Sequence, residues 1–328
     1  MSAQEEHKSP FICVYSLDGQ GAGTSIDAAA VARWSAGDGT LWIHHDAENV
    51  PAQRWLEHAS GLDPMIAAAL TAEETRPRTI VTEHGVLLVL RGVNMNPGAD
   101  PEDMVSLRIW LEPGRIITSR RRPLMAIQDV RSSVEAGQGP RTAGAFLNAL
   151  IERLAERIGE VVAQIHERID EMEGALDDET ANVSPAAVSG LRRQVATIRR
   201  YLAPQREAMD RLCRSPGPAL STHETQELRE QADGMTRHLE SLDLAKERAV
   251  VVREEYMSLL AQKQNERVYV LTLVAAVFLP LTFVTGLLGM NVAGLPGLEN
   301  PAAFMISMVL MGGLVVGFAA VFKWKGWM

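Results

Sequence analysis

Leu279-Pro-Leu-Thr-Phe-Val-Thr-Gly-Leu-Leu-Gly-Met-Asn291 is uncharged throughout and ends a long apolar run on a side-chain carboxamide. Outward from it, Val268–Leu288 supplies 21 mainly apolar residues and Ala302–Phe322 another 21. As a helix each run spans roughly 30 Å, the thickness of the hydrocarbon layer. The connection, residues 292–301, carries Pro296 and two glycines but neither Lys nor Arg. Lys263 and Arg267 precede the first run, and Lys323 and Lys325 follow the second. An excess of basic residues at both outer ends places both termini in the cytoplasm and the short loop outside. Trp324 and Trp327 stand where aromatic anchors meet the membrane surface.

Stepping back from Asn291, Met290 and Gly289 through Gly286 at three- and four-residue intervals gives Thr282, Leu279, Ala275, Leu271 or Thr272, Val268 and Asn265. These positions share one helix face. It is polar at the outer end, apolar in the middle and polar again at the inner end. Two spans cannot enclose a pore, so conduction needs several copies around an axis, with an outer ring of amide oxygens above a narrow greasy throat that gates by dewetting. The alternative is a stripe that merely packs helices. Pro280 denies the Ala276 carbonyl its usual donor, which reads as a simple kink or as a carbonyl turned to a cavity. Gly313 and Gly317 form a GxxxG pair, expected to pack closely against another helix.

Charge is divided as sharply as hydropathy. Between Val268 and Phe322 the sole Asp, Glu, Lys, Arg or His is Glu299, in the loop, so the net charge of -9 sits almost entirely in the polar remainder. An acidic soluble body argues against nucleic acid and anionic lipid as partners and favours cations. Cys13 and Cys213 form neither a CxxC pair nor a disulfide framework, as expected of a reducing cytosol. The polar N-terminus lacks the apolar core of a signal peptide.

Up to residue 142 the pattern alternates. Strand-like runs at Phe11–Leu17, Thr40–His44, Thr79–Thr82, Val86–Arg91, Val105–Leu111 and Arg115–Thr118 are interleaved with helical stretches at Pro51–Ala59, Asp63–Leu70 and Leu124–Glu135. This predicts a mixed α/β layer domain. Gly19, Gly21 and Gly23 miss the G-x-G-x-x-G spacing by one residue and read as a turn rather than a dinucleotide site. Residues 143–214 read as a helical pair joined near Asn182–Pro185, the second helix kinked at Pro204. After the breaker Ser215–Ser221, a stalk helix occupies residues 222–267 with apolar residues near every 3.5 positions. No proline separates Glu224 from the first span, which predicts one helix of about 95 Å continuing into the membrane domain, 268–328.

His166, Asp170, Glu173 and Asp177 share a helix face at i, i+4, i+7 and i+11 and are candidate metal ligands through imidazole nitrogen and carboxylate oxygen. The competing reading is a solvated acidic helix tip. Cys213 and His223 are a further candidate zinc pair, while His44 and His45 read as packing. No HExxH, paired CxxC or Ser/His/Asp arrangement appears, so no enzyme site is expected.

The Gly289-Met290-Asn291 signature resembles that of CorA-family metal-ion transporters. The loop Val292-Ala-Gly-Leu-Pro-Gly-Leu-Glu-Asn300 is similar to the zinc-transporting ZntB branch rather than to the Met-Pro-Glu-Leu loop of CorA-type members. Glu74-Thr-Arg-Pro-Arg78 and Arg199-Arg-Tyr-Leu-Ala-Pro-Gln-Arg206 resemble stretches of the same branch. The resemblance implies an α+β membrane protein: an α/β/α cytosolic funnel, a long stalk helix and two C-terminal transmembrane helices. It further implies an inner-membrane homopentamer, a selectivity ring of Asn291 and Gly289 with Thr282 and Leu279 further in, and zinc uptake coupled to protons, with no cofactor beyond the transported divalent cation. Two alternatives stand beside it, a magnesium or cobalt channel and a membrane-anchored metal sensor that does not transport.

Overall fold

A computed structural model describes residues 9–35, 37, 39–73, 76–177, 184–290 and 300–326. It divides into two units, one ending at Arg253 and the other beginning at Glu254.

The first unit is built on a seven-stranded sheet of order β2-β1-β3-β7-β6-β5-β4. Its strands are β1 (Cys13–Leu17), β2 (Gly23–Ser25), β3 (Thr40–Asp46), β4 (Arg78–Val81), β5 (Val86–Gly92), β6 (Val105–Glu112) and β7 (Arg115–Arg120). Six match the sequence expectation to within two residues. β2 was missed because three residues directly after a glycine-rich turn carry no period of their own. That turn is built by Asp18, whose Oδ1 accepts from the N–H groups of Gln20, Gly21 and Ala22. Gly19 and Gly21 take φ of 72° and 117°, values open to a residue without Cβ. The turn reading of this stretch therefore stands, as the connection of the β1–β2 hairpin.

Only β3 and β7 pair in parallel, and every other pairing is antiparallel. Both are central and almost continuously buried, as parallel strands covered on two faces must be. In register across the sheet, Val14, Ile43, Ile117, Trp110, Leu87 and Ile80 form one row. That row packs beneath α2 (Val50–His58) and α3 (Pro64–Thr71) through Leu56, Ile66 and Leu70. On the opposite face Trp42 lies 4.8 Å from the ring of Phe146 in α5 (Ala143–Asp177). Thr79 Oγ1 donates to the Ala208 carbonyl of α6 (Pro185–Arg214) at 2.6 Å. α1 (Ala28–Arg33) adds Val31 to the core beneath α2 and α3, and α4 (Met125–Glu135) packs on α5 and reaches the edge strand β2. Two helical layers thus enclose one sheet, the α/β/α arrangement.

α6 runs unbroken through Pro204. α7 is likewise one helix, Thr222–Leu288, with Pro280 inside it. Its buried stripe, Leu228, Ala232, Met235, Leu242, Ala245, Ala249 and Val252, keeps the predicted spacing and stops at Val252, where the first unit ends. Beyond it Tyr256 and Leu259 are half-buried.

In the second unit α7 continues as the first apolar helix and α8 (Ala303–Trp324) is the second. Each contains a window of mean hydropathy 2.3 with no residue buried. Surfaces this apolar and this exposed belong in lipid, or against other apolar helices within it. The half-buried positions of α8 are Ala303, Ser307, Met311, Leu314 and Phe318, and they lead to buried Phe322. Gly313 and Gly317 point elsewhere: a Cβ on either would meet nothing within 4 Å. The expectation that this pair packs a helix is therefore not met within the chain, where the larger side chains make the inward stripe.

Candidate functional site

The candidate ion path is a face of α7. Asn265, Val268, Leu271, Leu279, Thr282, Gly286 and Gly289 are all exposed, and Ala275 is half-buried. The other half-buried residues of the same stretch, Leu273, Ala276, Val277, Pro280, Leu281 and Val284, centre about 160° away around its axis at 100° per residue. The sequence-derived face is thus left free by the inward-facing stripe of its own unit. Leu279 and Leu271 are 69% and 68% exposed, far more than a folded monomer leaves such side chains without reason.

The outer end of this face is tightly wound. Gly289 N–H donates to the Thr285 carbonyl at 2.9 Å, and Met290 N–H to that of Leu287 at 3.4 Å. A Cβ on Gly289 would sit 3.1 Å from the Thr285 oxygen, so a larger residue crowds the last turn. Thr282 Oγ1 donates to the Phe278 carbonyl at 2.8 Å and Thr285 Oγ1 to that of Thr282 at 3.0 Å. Each hydroxyl spends its proton on its own helix, which satisfies it in lipid and leaves lone pairs to receive a hydrated cation. Asn291 and Glu299 lie outside the described residues.

The cytosolic candidates are engaged otherwise. Arg248 of α7 reaches across to α5, donating from Nη2 to Asp170 Oδ1 and Glu173 Oε2, each at 2.5 Å, and from Nε to Glu173 Oε1 at 3.0 Å. His166 Nε2 is 2.7 Å from Ser241 Oγ. The side chain of Asp177 lies outside the described residues. Among those described, no three His, Cys, Asp or Glu side chains converge to hold a metal. A guanidinium between Asp170 and Glu173 satisfies both carboxylates internally, making this part of the face a seam between α5 and α7.

The Cys213–His223 pair has contacts of its own. His223 Nδ1 lies 3.5 Å from Glu227 Oε1, on its own helix, and burial pushes the Cys213 thiol up, away from the thiolate a metal needs. His44 and His45 are buried structural groups. Burial and the neighbouring Arg120 hold His44 down to about 3, and burial holds His45 down to about 4. Neutral His44 accepts from Arg120 Nε at 3.1 Å, so its Nδ1–H faces Thr118 Oγ1 at 2.9 Å.

One residue was overlooked. Glu224 Oε1 accepts from Thr142 Oγ1 and from Ala145 N–H, the latter at 3.0 Å, at the start of α5. Its Oε2 accepts from Ser221 N–H at 2.7 Å, while Ser221 Oγ accepts from Glu224 N–H at 3.3 Å. The second exchange is a capping box, and its Ser-x-x-Glu spacing was visible in the sequence. The first was not, because it joins helices 79 residues apart. One carboxylate therefore ties the N-termini of α5 and α7, and its hydrogen bonds outweigh its burial to hold it below the usual glutamate range.

A family model described as CorA-like Mg2+ transporter protein matches residues 37–324. The divalent cation transporter CmaX of Pseudomonas aeruginosa is 37% identical over 313 residues, 94% of this chain and 93% of that protein. The zinc transport protein ZntB of Yersinia enterocolitica is 32% identical over 316 residues, 96% and 95% of the two chains. The solved structure of full-length CmaX covers 97% of this chain and 99% of its own, at 36% identity and a TM-score of 0.85. The CorA magnesium transporter of Methanocaldococcus jannaschii covers 96% and 98% with a TM-score of 0.81; at 18% identity this is a likeness of fold. Matched along nearly its whole length by the family model and by relatives above 30% identity, the chain belongs to the CorA family, whose members move divalent cations across membranes and are not enzymes.

Proposed function

We propose that the chain takes up zinc across the inner membrane as a homopentamer, with both termini cytoplasmic and the α7 faces lining a central path. The exposed face of α7 carries this reading: it runs from Asn265 to Gly289 on the side away from the stripe that meets its own unit. Copies arranged with these faces inward bury Leu271 and Leu279 in a water-poor throat and gather Thr282, Gly286, Gly289 and Asn291 at the outer mouth. Carboxamide and hydroxyl oxygens meet a cation that keeps its water shell.

Zinc is the favoured cargo because the ZntB proteins are similar along the whole chain and because the loop resembles theirs. Tight zinc sites use nitrogen or sulfur. A conduit must release its ion, so the absence of His and Cys from the two apolar runs is compatible with zinc passage. The second reading, magnesium or cobalt conduction, is favoured by those same all-oxygen groups. Neither run holds an Asp, Glu or His relay. Proton coupling therefore works through the cytosolic unit, through Glu299, or through water accompanying the ion.

Radiolabelled uptake into proteoliposomes, with and without an imposed pH gradient, tests the proposal. Zinc flux that rises with an inward proton gradient is expected. Magnesium flux with negligible zinc flux overturns the choice of cargo. Asn291→Ala is expected to abolish flux with assembly retained, whereas unchanged function in that variant favours a non-transporting sensor.

A further inference from the structure

The acidity of the chain belongs to its soluble part, yet the two apolar helices carry the opposite sign where they leave the membrane. Consecutive spans return the chain to the side it came from, so the segment before the first and the segment after the second meet one leaflet. Lys263 and Arg267 supply the cations on α7, Lys323 and Lys325 those at the end of α8, against Glu266 alone between Lys263 and Val270. Lys263, Glu266, Arg267 and Val270 line an open recess of about 440 Å3. Their spacing of three and four residues puts them on one helix face, with Arg267 one turn and Lys263 two turns before the aliphatic side chain of Val270. Trp324, 85% exposed, stands two residues beyond the last buried residue of α8, Phe322, where an indole reaches the headgroup layer.

We propose that this basic collar is a binding site for anionic phospholipid, the phosphodiester held by Lys263 and Arg267 and an acyl chain lying along Val270. The inference rests on both helices crossing the bilayer and is independent of which ion is carried. Acidity of the body does not oppose it, because attraction to a charged leaflet is governed by the charges within a Debye length of the headgroups, and Lys263 and Arg267 directly precede the apolar run. A free phosphate could use the same cations but would leave the apolar end of the recess idle, and this favours the lipid.

The test uses the full chain in neutral-detergent micelles doped with phosphatidylglycerol or phosphatidylcholine, read by thermal unfolding and by lipid retention in native mass spectrometry. Phosphatidylglycerol is expected to stabilise the protein and to be retained in preference to phosphatidylcholine. The preference should weaken with salt, and by about fivefold for each cation removed in Lys263→Gln and Arg267→Gln. The exchange Lys263→Arg with Arg267→Lys keeps the charge and should keep the preference, which separates recognition from a folding defect. Equal effects of the two lipids, or a preference that survives Lys263→Gln/Arg267→Gln, overturn the proposal. Equal stabilisation by glycerol phosphate overturns it in favour of a free anion. Flux measured in parallel keeps this result separate from the transport reading.

Discussion

Glu224→Ala is expected to lower stability more than any single exposed charge removal in this chain. The side chain is 9% exposed and accepts three hydrogen bonds, from Thr142 Oγ1, Ala145 N–H and Ser221 N–H. A hydrogen bond to a charged acceptor contributes about 1.5–3 kcal/mol net. Part of the loss is recovered, because Thr142 Oγ1 also accepts from Ala145 N–H at 3.0 Å and Ser221 N–H can turn to water. A net cost of about 2–3 kcal/mol follows, or a fall in Tm of roughly 5–10 °C for a unit of this size. Gly144 supplies an internal control: a Cβ there would lie 2.4 Å from the Glu224 carboxyl carbon. Gly144→Ala should therefore destabilise the wild type, yet be neutral or stabilising by up to about 1 kcal/mol once Glu224 is Ala, where only helix propensity remains. The carboxyl's folded pKa is depressed, so its contribution is complete above the ordinary glutamate range and fades as pH falls through the folded value. Circular dichroism melts of the purified full chain at pH 7 and pH 4 read all of this. A Glu224→Ala melt within about 1 °C of wild type at pH 7, or an equal cost of Gly144→Ala in both backgrounds, refutes the two-helix clamp.

Arg248→Ala should cost only about 1 kcal/mol in a denaturant titration, because Asp170 is 65% exposed and screened by water. With Asp170 and Glu173 engaged by Arg248, Asp170→Asn is expected to leave zinc affinity of the full chain unchanged by isothermal titration. His44→Gln should flatten the acid limb of stability. The folded protein holds His44 unprotonated down to about 3 while the unfolded chain binds a proton near 6.5, so stability rises with pH between these values. At pH 5 the difference is about 2 kcal/mol, measurable by comparing melts at pH 5 and pH 7. Gly289→Val places a branched side chain against the Thr285 carbonyl and should cut cation flux at least tenfold while size-exclusion chromatography shows assembly unchanged.

The parts of the molecule legible in the sequence are those whose cause is local. An apolar run of 21 residues declares a membrane span by itself, and the 3.5-residue spacing from Leu228 to Val252 declares a buried helix stripe. Six strands announced themselves because buried runs such as Val86–Gly92 are bounded by turn residues, while β2 is too short to do so. The Gly313–Gly317 pair faces no helix among the described residues of its own chain, because small residues permit close approach without requiring it, and Met311, Leu314 and Phe318 are the half-buried positions instead.

The metal candidates show what spacing leaves out. Spacing placed His166, Asp170 and Glu173 on one face of α5 correctly, but it could not reveal that Arg248, 75 residues beyond Glu173, would arrive between the carboxylates. The chain alone determined its two spans, its stalk period and the face of α7 that is left bare, since helix geometry converts spacing into a surface without reference to any other element. Only tertiary structure decided which charges are spoken for and which helix ends share one carboxylate, because those pairings are made across space by residues whose separation along the chain carries no trace of their contact.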